Sequence, residues 1–288
     1  TAAHALVYVF RAFYSLPGSI RDPAGRQSNA LVGFANFLVG YIVAERPTHM
    51  ALCFDRSLNS SFRNKLYAGY KANRPEPDAA FMDQVRRCRK FAEALGVPCF
   101  DDGRYEADDL IATLGTAVLR GGHRCVVVTS DKDLCQLVEP RLSVHDFARG
   151  VRYDEAGVRR KLGVRPCQVA DLLGLMGDPV DCIPGVRGVG AKTAAALLRR
   201  FRDIDAVYAG LDKVPTLKLR GAAGVQQALA SGREAAFLSR TLATLERQVP
   251  MRVDGLGGVA RGRPSRRIHR LLDDFGLRRL HDRVDALP

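Results

Sequence analysis

The first 150 residues alternate short apolar runs with segments of helical spacing, and this alternation restricts the fold more than any other feature. The apolar runs predict short buried strands at residues 5–10, 50–54, 97–100 and 125–130. The helical spacing predicts helices at residues 29–44, 79–95 and 107–119. Strands and helices in this order favour an α/β fold, with a parallel sheet covered on both faces. Ligands of such sheets bind beyond the carboxyl ends of the strands.

The rest of the chain has a different pattern. Residues 57–78 form a polar, basic and aromatic excursion between a strand and a helix, and long excursions of this kind are often functional. Strand signals fade from about residue 151, and short helical segments follow, joined by turns rich in Gly and Pro. We therefore expect a first domain at residues 1–165 and a helical region at 166–288. The Arg-rich tail, 261–283, has the apolar spacing of an amphipathic terminal helix.

The charge balance predicts a polyanionic partner. The chain of 288 residues has 44 Lys and Arg against 31 Asp and Glu, a net charge of +13. A basic surface attracts nucleic acid, although an Arg-rich genome would produce the same bias. No apolar run reaches the roughly 18–20 residues of a membrane span. The seven cysteines form no CxxC pair, which disfavours a disulfide framework and a structural zinc site and indicates a reducing cytoplasm.

Acidic residues fall in tight groups against this basic background. One follows a strand, three open a helix, two follow another strand, and two precede a Gly-rich turn: Asp55; Glu106, Asp108 and Asp109; Asp131 and Asp133; Asp178 and Asp181. Helix capping explains one or two of the helix acids, and the last pair are also ordinary turn formers. Together, clustered carboxylates predict Mg²⁺ or Mn²⁺ bound by oxygen ligands. We therefore expect a phosphodiester hydrolase with two metal ions.

Residues 183–193 combine three glycines with two donor side chains at the start of a helix: Gly185, Gly188, Gly190, Lys192 and Thr193. Such a hairpin lets backbone amides approach a phosphate closely. A dinucleotide-binding fingerprint needs a preceding strand and a different glycine order, so that alternative fails, whereas a plain structural turn stays open. In the excursion, basic and aromatic residues alternate, which suits phosphates and bases or, alternatively, a solvated loop.

These motifs, SFRNKLYAGYKANR, YEADDLIA, TSDKDLCQL and GDPVDCIPGVRGVGAKTAAALL, resemble in order and spacing the 5′-nuclease (flap endonuclease) superfamily. The likeness is to the bacterial 5′–3′ exonuclease type and covers roughly residues 4–250. It implies a PIN-like sheet flanked by helices, a helical arch near 57–78, and a C-terminal helix–hairpin–helix region near 183–200. It also implies a structure-specific 5′–3′ exonuclease or flap endonuclease of replication and repair. The implied partner is DNA with a 5′ flap, nick or RNA primer, bound by a monomer.

The resemblance assigns roles to single positions. Arg63, Lys71 and Arg74 resemble arch residues that grip the scissile phosphate, and Tyr105 resembles a residue beside the flipped 5′ nucleotide. The hairpin at 185–193 resembles the element that holds duplex DNA, often with a bound K⁺. The residues that resemble the family's metal-holding acids are Asp55, Glu106, Asp108, Asp109, Asp131, Asp133, Asp178 and Asp181.

The first strand departs from the family pattern. That pattern has an apolar strand ending in Asp, but counting back from residues 8–12 puts His4 at this position, and residues 1–3 do not resemble the usual strand. Imidazole brings no negative charge to a Mg²⁺ site. Either the start of the chain is truncated or altered, or catalysis is weakened. The alternative function is therefore a DNA-junction-binding protein with little or no cleavage. Cys182, where the family usually has Asn, is a smaller departure.

Overall fold

A six-stranded sheet lies at the centre of the chain, described here by a computed structural model for residues 1–57, 61–251, 253 and 255–287. The strand order is β3-β2-β1-β4-β5-β6, with the first five strands parallel and β6 antiparallel to β5. The α/β class and the parallel core of the sheet are confirmed. The strands are β1 (Ala2–His4), β2 (Ala51–Cys53), β3 (Cys99–Phe100), β4 (Cys125–Val128), β5 (Leu142–Asp146) and β6 (Val151–Tyr153).

The prediction of a strand at residues 5–10 is wrong. The central strand is β1, and the following run forms a helix, α1 (Ala5–Ser15). Its Val, Tyr and Phe residues favour a strand by propensity. However, its buried residues (Ala5, Leu6, Tyr8, Val9 and Ala12) recur at helical intervals, and a short apolar run does not separate the two states. Residues 2–4, which do not have the composition of a typical strand, pair with β2, and Ala2 and Ala3 also pair with β4.

Helices cover both faces of the sheet, joined by short 3₁₀ turns. The predicted helices at 29–44, 79–95 and 107–119 are confirmed within one residue at each end. The helices after α1 are α2 (Asn29–Glu45), α3 (Phe62–Leu66), α4 (Ala79–Ala94), α5 (Ala107–Arg120), α6 (Glu155–Leu162), α7 (Val169–Met176), α8 (Ala191–Phe201), α9 (Ile204–Ala209), α10 (Ala222–Ser231), α11 (Arg233–Ala243), α12 (Ile268–Asp274) and α13 (His281–Asp285).

Two hydrophobic cores form on the two sides of the sheet. One contains side chains of α1, α2 and α4, and the other contains those of α5, α7, α8 and α11. The tail belongs to the first core, because Ile268, Leu272 and Phe275 pack with it. The single amphipathic helix predicted for residues 261–283 is wrong: α12 and α13 are separate. Gly276, with φ +70°, stands between them and ends the first helix.

The sheet directs three loops to one edge. Residues that follow β1, β2 and β4 leave the carboxyl ends of adjacent parallel strands, so the segments after His4, Cys53 and Val128 meet there. Helix α5 begins at the same edge, since the amide of Ala107 donates to Asp55 Oδ1 at 2.9 Å. Among the described residues, no helix is long and apolar enough to cross a membrane.

Candidate metal centre

His4 lies between two carboxylates at the carboxyl edge of the sheet. Its Nε2 is 3.4 Å from Asp55 Oδ2, and its Nδ1 is 3.1 Å from Asp108 Oδ1. Burial by itself lowers the pKa of His4, but the charges and hydrogen bonds of Asp108 and Asp55 raise it to about 10. Burial and Asp131 raise the pKa of Asp108. The three groups therefore share a proton at neutral pH, and because two carboxylates flank it we place that proton on His4.

A second acidic group lies beside the first. Burial, and next the nearby Asp131, raise the pKa of Asp133 to about 8. Lys132 forms ion pairs with Asp133, at 3.2 Å, and with Asp178, which is buried. The Asp131 carboxylate accepts the amide of Asp133 at 2.9 Å. Carboxylates that repel one another in a buried group require positive charge, and Lys132 supplies only part of it.

Arg63 is buried and does not face an open cleft. Its side chain is 1% exposed and forms two hydrogen bonds with the Asp109 carboxylate, at 2.7 and 2.8 Å, and one with Glu106 Oε2 at 3.0 Å. It also donates to the carbonyls of Leu242 and Thr244. Asp109 has no exposed surface and accepts the amides of Glu106 and Glu246 as well. This network joins the excursion to α5 and the end of α11.

Lys71 and Arg74 reach the acidic edge from the excursion. Lys71 pairs with Glu106 and lies 3.8 Å from Asp181, and Arg74 pairs with the same Asp181 at 2.6 Å. The backbone supports this contact, because the Lys71 amide donates to the Asp181 carbonyl at 2.9 Å. Lys71 has φ +55°, an unfavourable value for a residue with a Cβ. Two cations of the excursion therefore stand beside the metal-holding candidates.

The donor chemistry of the edge fits a hard divalent cation, with one exception. The ligands are carboxylate oxygens, which Mg²⁺ and Mn²⁺ prefer. The buried Oδ1 atoms of Asp108 and Asp133 face only the cations His4, at 3.1 Å, and Lys132, at 3.2 Å, with no well-aligned hydrogen bond, so a metal ion would take the place of these contacts. The exception is His4, because an imidazolium repels a cation. Among residues 1–57, 61–251, 253 and 255–287, no group of three or more His, Cys, Asp or Glu side chains has the arrangement of a metal site.

The Gly-rich hairpin has a packed side and an open side. A Cβ on Gly185 would lie 2.2 Å from the Gly177 amide nitrogen, so that glycine is required for close backbone packing. Around Gly188 and Gly190, in contrast, no described atom lies within 4 Å of such a Cβ. Gly190 precedes α8, whose first turn directs free amides outwards. Lys192 beside them is exposed.

An aromatic pocket near Arg74 was not predicted from the sequence. It has a volume of about 470 Å³, and Tyr14 beside it is 79% exposed. Its lining residues include Phe10, Phe13, Tyr14 and Phe81 with Arg74. The missed signal is the spacing of Phe10, Phe13 and Tyr14 on one face of α1, which the incorrect strand assignment obscured. On the other side of the excursion, Tyr105 is half-buried and its ring centroid lies 5.6 Å from that of Phe62.

Solved structures with the same fold bind metal or DNA. A structure described as divalent zinc ions bound to T5 5′-exonuclease superposes with a TM-score of 0.70 at 19% identity, covering 99% of this chain and 95% of that one. The catalytic core of Rad2 in complex with DNA substrate superposes with a TM-score of 0.67 at 13% identity, covering 100% and 91%. At these identities the likeness establishes the fold, which confirms the predicted 5′-nuclease architecture.

Sequence comparisons identify the family. DNA polymerase I of Pseudomonas aeruginosa is 39% identical over 260 residues, 90% of this chain and 28% of that protein. DNA polymerase I of Mycobacterium leprae is 38% identical over 282 residues, 96% of this chain and 30% of that protein. The chain thus spans about three tenths of these relatives. Residues 4–163 match the 5′-3′ exonuclease N-terminal resolvase-like domain, and residues 164–261 match the 5′-3′ exonuclease C-terminal SAM fold. The chain belongs to the 5′-3′ exonuclease family of nucleases.

Proposed function

We propose that the chain is a metal-dependent 5′–3′ exonuclease and flap endonuclease that cuts DNA at junctions of duplex and single strand. The observation that carries this function is the meeting of seven acids at one sheet edge beside Lys71, Arg74 and the aromatic pocket. Its substrates are DNA with a 5′ flap, a nick or an RNA primer, and it acts as a cytoplasmic monomer. Residues 1–165 form the nuclease domain and 166–288 the helical DNA-binding region, although the tail packs on the first.

The acids divide into two groups by their surroundings. Asp55, Glu106 and Asp108 would hold one divalent ion, and Asp131, Asp133, Asp178 and Asp181 a second. Bound ions would lower the pKa of water and stabilise charge on the leaving oxygen. Asp109 belongs to neither group, because Arg63 and two amides already use its oxygens. We propose that Arg63 and Asp109 position Glu106 and do not contact substrate.

Lys71 and Arg74 have the role of phosphate contacts in this proposal. Both are within 4 Å of acids that would bind metal, so the release of those acids to a cation frees both side chains for the scissile phosphate. Arg74 also lines the aromatic pocket, where a base at the 5′ end would stack on Phe10 or Tyr14. The open side of the Gly-rich hairpin would hold duplex DNA through backbone amides and Lys192, with K⁺ as the expected bound ion.

One observation favours a second function, junction binding with weak or no cleavage. His4 carries positive charge at the position where the family motif carries negative charge, and it occupies the oxygens of Asp55 and Asp108. A cation that displaces this contact must first overcome an attraction within the protein. The Gly-rich hairpin at residues 185–193 is far along the chain from His4, so a defect in metal binding at His4 would leave the proposed binding of DNA by the hairpin intact.

The test is incubation of a 5′-labelled flap duplex with the chain in Mg²⁺, in Mn²⁺ and in EDTA. Metal-dependent release of the flap near the junction is the expected result. The double variant Asp131→Asn/Asp133→Asn should stop cleavage but retain DNA binding. It should also remain as stable as the wild type, because it removes repulsion between two partly buried carboxylates. The matched control is Asp274→Asn/Asp282→Asn, which changes the charge equally at exposed positions.

Each result has a defined meaning. Cleavage that survives Asp131→Asn/Asp133→Asn would remove the proposed metal site. Tight junction binding without cleavage in either metal would support the second function. The absence of both binding and cleavage would contradict both functions.

A further inference from the structure

Two neighbouring pockets lie on the side of the molecule away from the carboxyl edge. One has a volume of about 800 Å³, and the other about 600 Å³. Arg159 lines both, so the two pockets adjoin along α6, and together they are here called the arginine groove. The arginines that line it are Arg124, Arg141, Arg152, Arg159, Arg165, Arg199, Arg200 and Arg202.

The position of the arginine groove separates it from the proposed cleavage site. Arg124 and Arg141 directly precede β4 and β5, so they lie at the amino ends of strands whose carboxyl ends face the acids. The length of β4 alone, at ~3.3 Å per residue, places about 10 Å of sheet between the two edges. Similarly, Arg199 and Arg200 lie near the end of α8, about 15 Å from the hairpin at its start. A phosphate in the groove is therefore not one held by the hairpin or the acids.

The charge of the groove is only partly neutralised within the protein, where Arg152 pairs with Glu45 and Arg202 with Asp203. In the pocket at the end of α8, five arginines meet, and no acidic side chain is among the described residues that line it. The other pocket has four arginines against Glu139, Asp154 and Glu155. Exposed pairs, such as Arg159 with Glu155 at 2.6 Å, are held weakly and can exchange partners. The excess positive charge requires an anion or a high concentration of counterions.

The backbone conformation of Arg202 supports a functional role for the groove. This residue ends α8 with φ +76°, where glycine is the favoured residue. The conformation is held by Gln168, whose amide donates to the Arg202 and Leu198 carbonyls. A strained residue kept in a concave surface rich in arginine points to a role beyond packing.

We propose that the arginine groove binds the phosphate backbone of a nucleic acid at a second place, separate from the strand that is cut. Guanidinium groups suit phosphates, because they present planar pairs of donors. A depression with eight arginines along it fits a linear polyanion better than a single small anion. The interaction is with backbone and has no sequence preference. It does not require cleavage, so it stands or falls independently of the proposed nuclease activity.

The experiment measures binding in EDTA to a flap duplex of about 30 base pairs, which is roughly 100 Å long. Two variants remove two arginines each from opposite ends of the groove: Arg124→Gln/Arg141→Gln and Arg199→Gln/Arg200→Gln. The control Arg86→Gln/Lys90→Gln lowers the net charge equally, at two exposed cations of α4 that lie outside the groove and outside the proposed DNA-binding region. Circular dichroism and urea unfolding establish that each protein is folded.

Each groove variant should weaken binding several-fold and lower the slope of log affinity against log salt by about 1 to 2, because each lost phosphate contact removes about 0.9. The control should keep the wild-type slope. Groove variants with the slope of the control would overturn the proposal. So would an effect of the Arg199/Arg200 pair alone, which would assign that end to the hairpin surface. Binding of poly-glutamate that needs the groove, with DNA binding unchanged, would assign it to an acidic protein segment instead.

Discussion

His4 and Asp108 are in contact, with the ring Nδ1 3.1 Å from the carboxylate Oδ1, at the end of the central strand. A metal site normally has two acids side by side, and their repulsion favours the binding of a cation. Here His4 and Asp108 attract each other instead, so this driving force for metal binding is lost. We therefore expect His4→Asp to bind Mg²⁺ at least tenfold more tightly than the wild type. Mg²⁺-dependent thermal stabilisation measures this without reference to activity, and cleavage rate against Mg²⁺ concentration measures its effect on catalysis. The control His4→Asn removes the cation without adding an acid; equal metal affinity in all three proteins would refute the argument.

The same contact predicts a pH dependence in the metal-free protein. The folded-state pKa of His4 is raised to about 10, from about 6.5 in the unfolded chain. The charged ring therefore stabilises the folded state fully below pH 6.5, and this stabilisation is lost as the pH rises towards 10. Urea unfolding in EDTA of the wild type and His4→Asn should show a difference that shrinks over this range. A difference that stays constant from pH 6 to 10 would mean that His4 is neutral.

Replacement of Arg63 should affect stability before catalysis. Arg63→Ala leaves the buried carboxylate of Asp109 without its charged partner, while Glu106 keeps Lys71, and we expect a cost of about 3–5 kcal/mol in the free energy of unfolding. Arg63→Lys should not restore the lost stability, because an ammonium group cannot form the two parallel hydrogen bonds that Arg63 donates to the Asp109 carboxylate. Arg74→Ala is the comparison, because its pair is partly exposed and worth about 1 kcal/mol or less. Arg63→Ala with wild-type stability but no cleavage would instead show that Arg63 contacts substrate.

Two glycines of the hairpin should respond in different ways. Gly190 has φ −87° and open space where a Cβ would point, but it is the N-cap of α8, where Ala is unfavourable. This cost offsets the entropic gain of a Gly to Ala change, so Gly190→Ala should leave the unfolding free energy nearly unchanged while weakening DNA binding. Gly185→Ala places its Cβ 2.2 Å from Gly177 and should destabilise the fold strongly. Urea unfolding and a DNA-binding titration on both variants check this. Unchanged DNA binding by Gly190→Ala would remove the hairpin from the interface.

Cys182→Asn should stabilise the turn between α7 and the hairpin. Cys182 has φ +54°, in the left-handed region, where Asn is tolerated better than most residues. The left-handed conformation costs most residues roughly 1–2 kcal/mol, and Asn less, so we expect a gain in the free energy of unfolding of no more than about 1 kcal/mol. Cys182→Val, a β-branched residue of similar size, should lose stability at the same position. If Cys182→Asn also lowers the free energy of unfolding, the contacts of the Cys182 thiol stabilise the turn more than the left-handed backbone conformation destabilises it.

The local sequence determined the positions of several helices, the location of the acidic residues and the identity of the fold. The helices at 29–44, 79–95 and 107–119 were predictable because their apolar spacing matches the helical period over several turns. The meeting of Asp55, Asp108 and Asp131 followed from strand ends in a parallel sheet, since such ends share one edge. The identity of the fold followed from motif order and spacing, which depend on local residues alone.

Only the tertiary structure decided which apolar run became the central strand. Residues 2–4 pair with β2 and β4 although their side chains are small, because the long-range pairing, and not local propensity, places them in the sheet. The tail likewise returns to the first core through contacts that no local pattern encodes. Arg63 and Asp109 are 46 positions apart, and nothing in either motif shows that they neutralise each other. Charge pairing depends on distance in space and not on distance along the chain. Only the folded structure could therefore separate Arg63 and Asp109, which we propose as positioning residues, from the acids that we propose to bind metal.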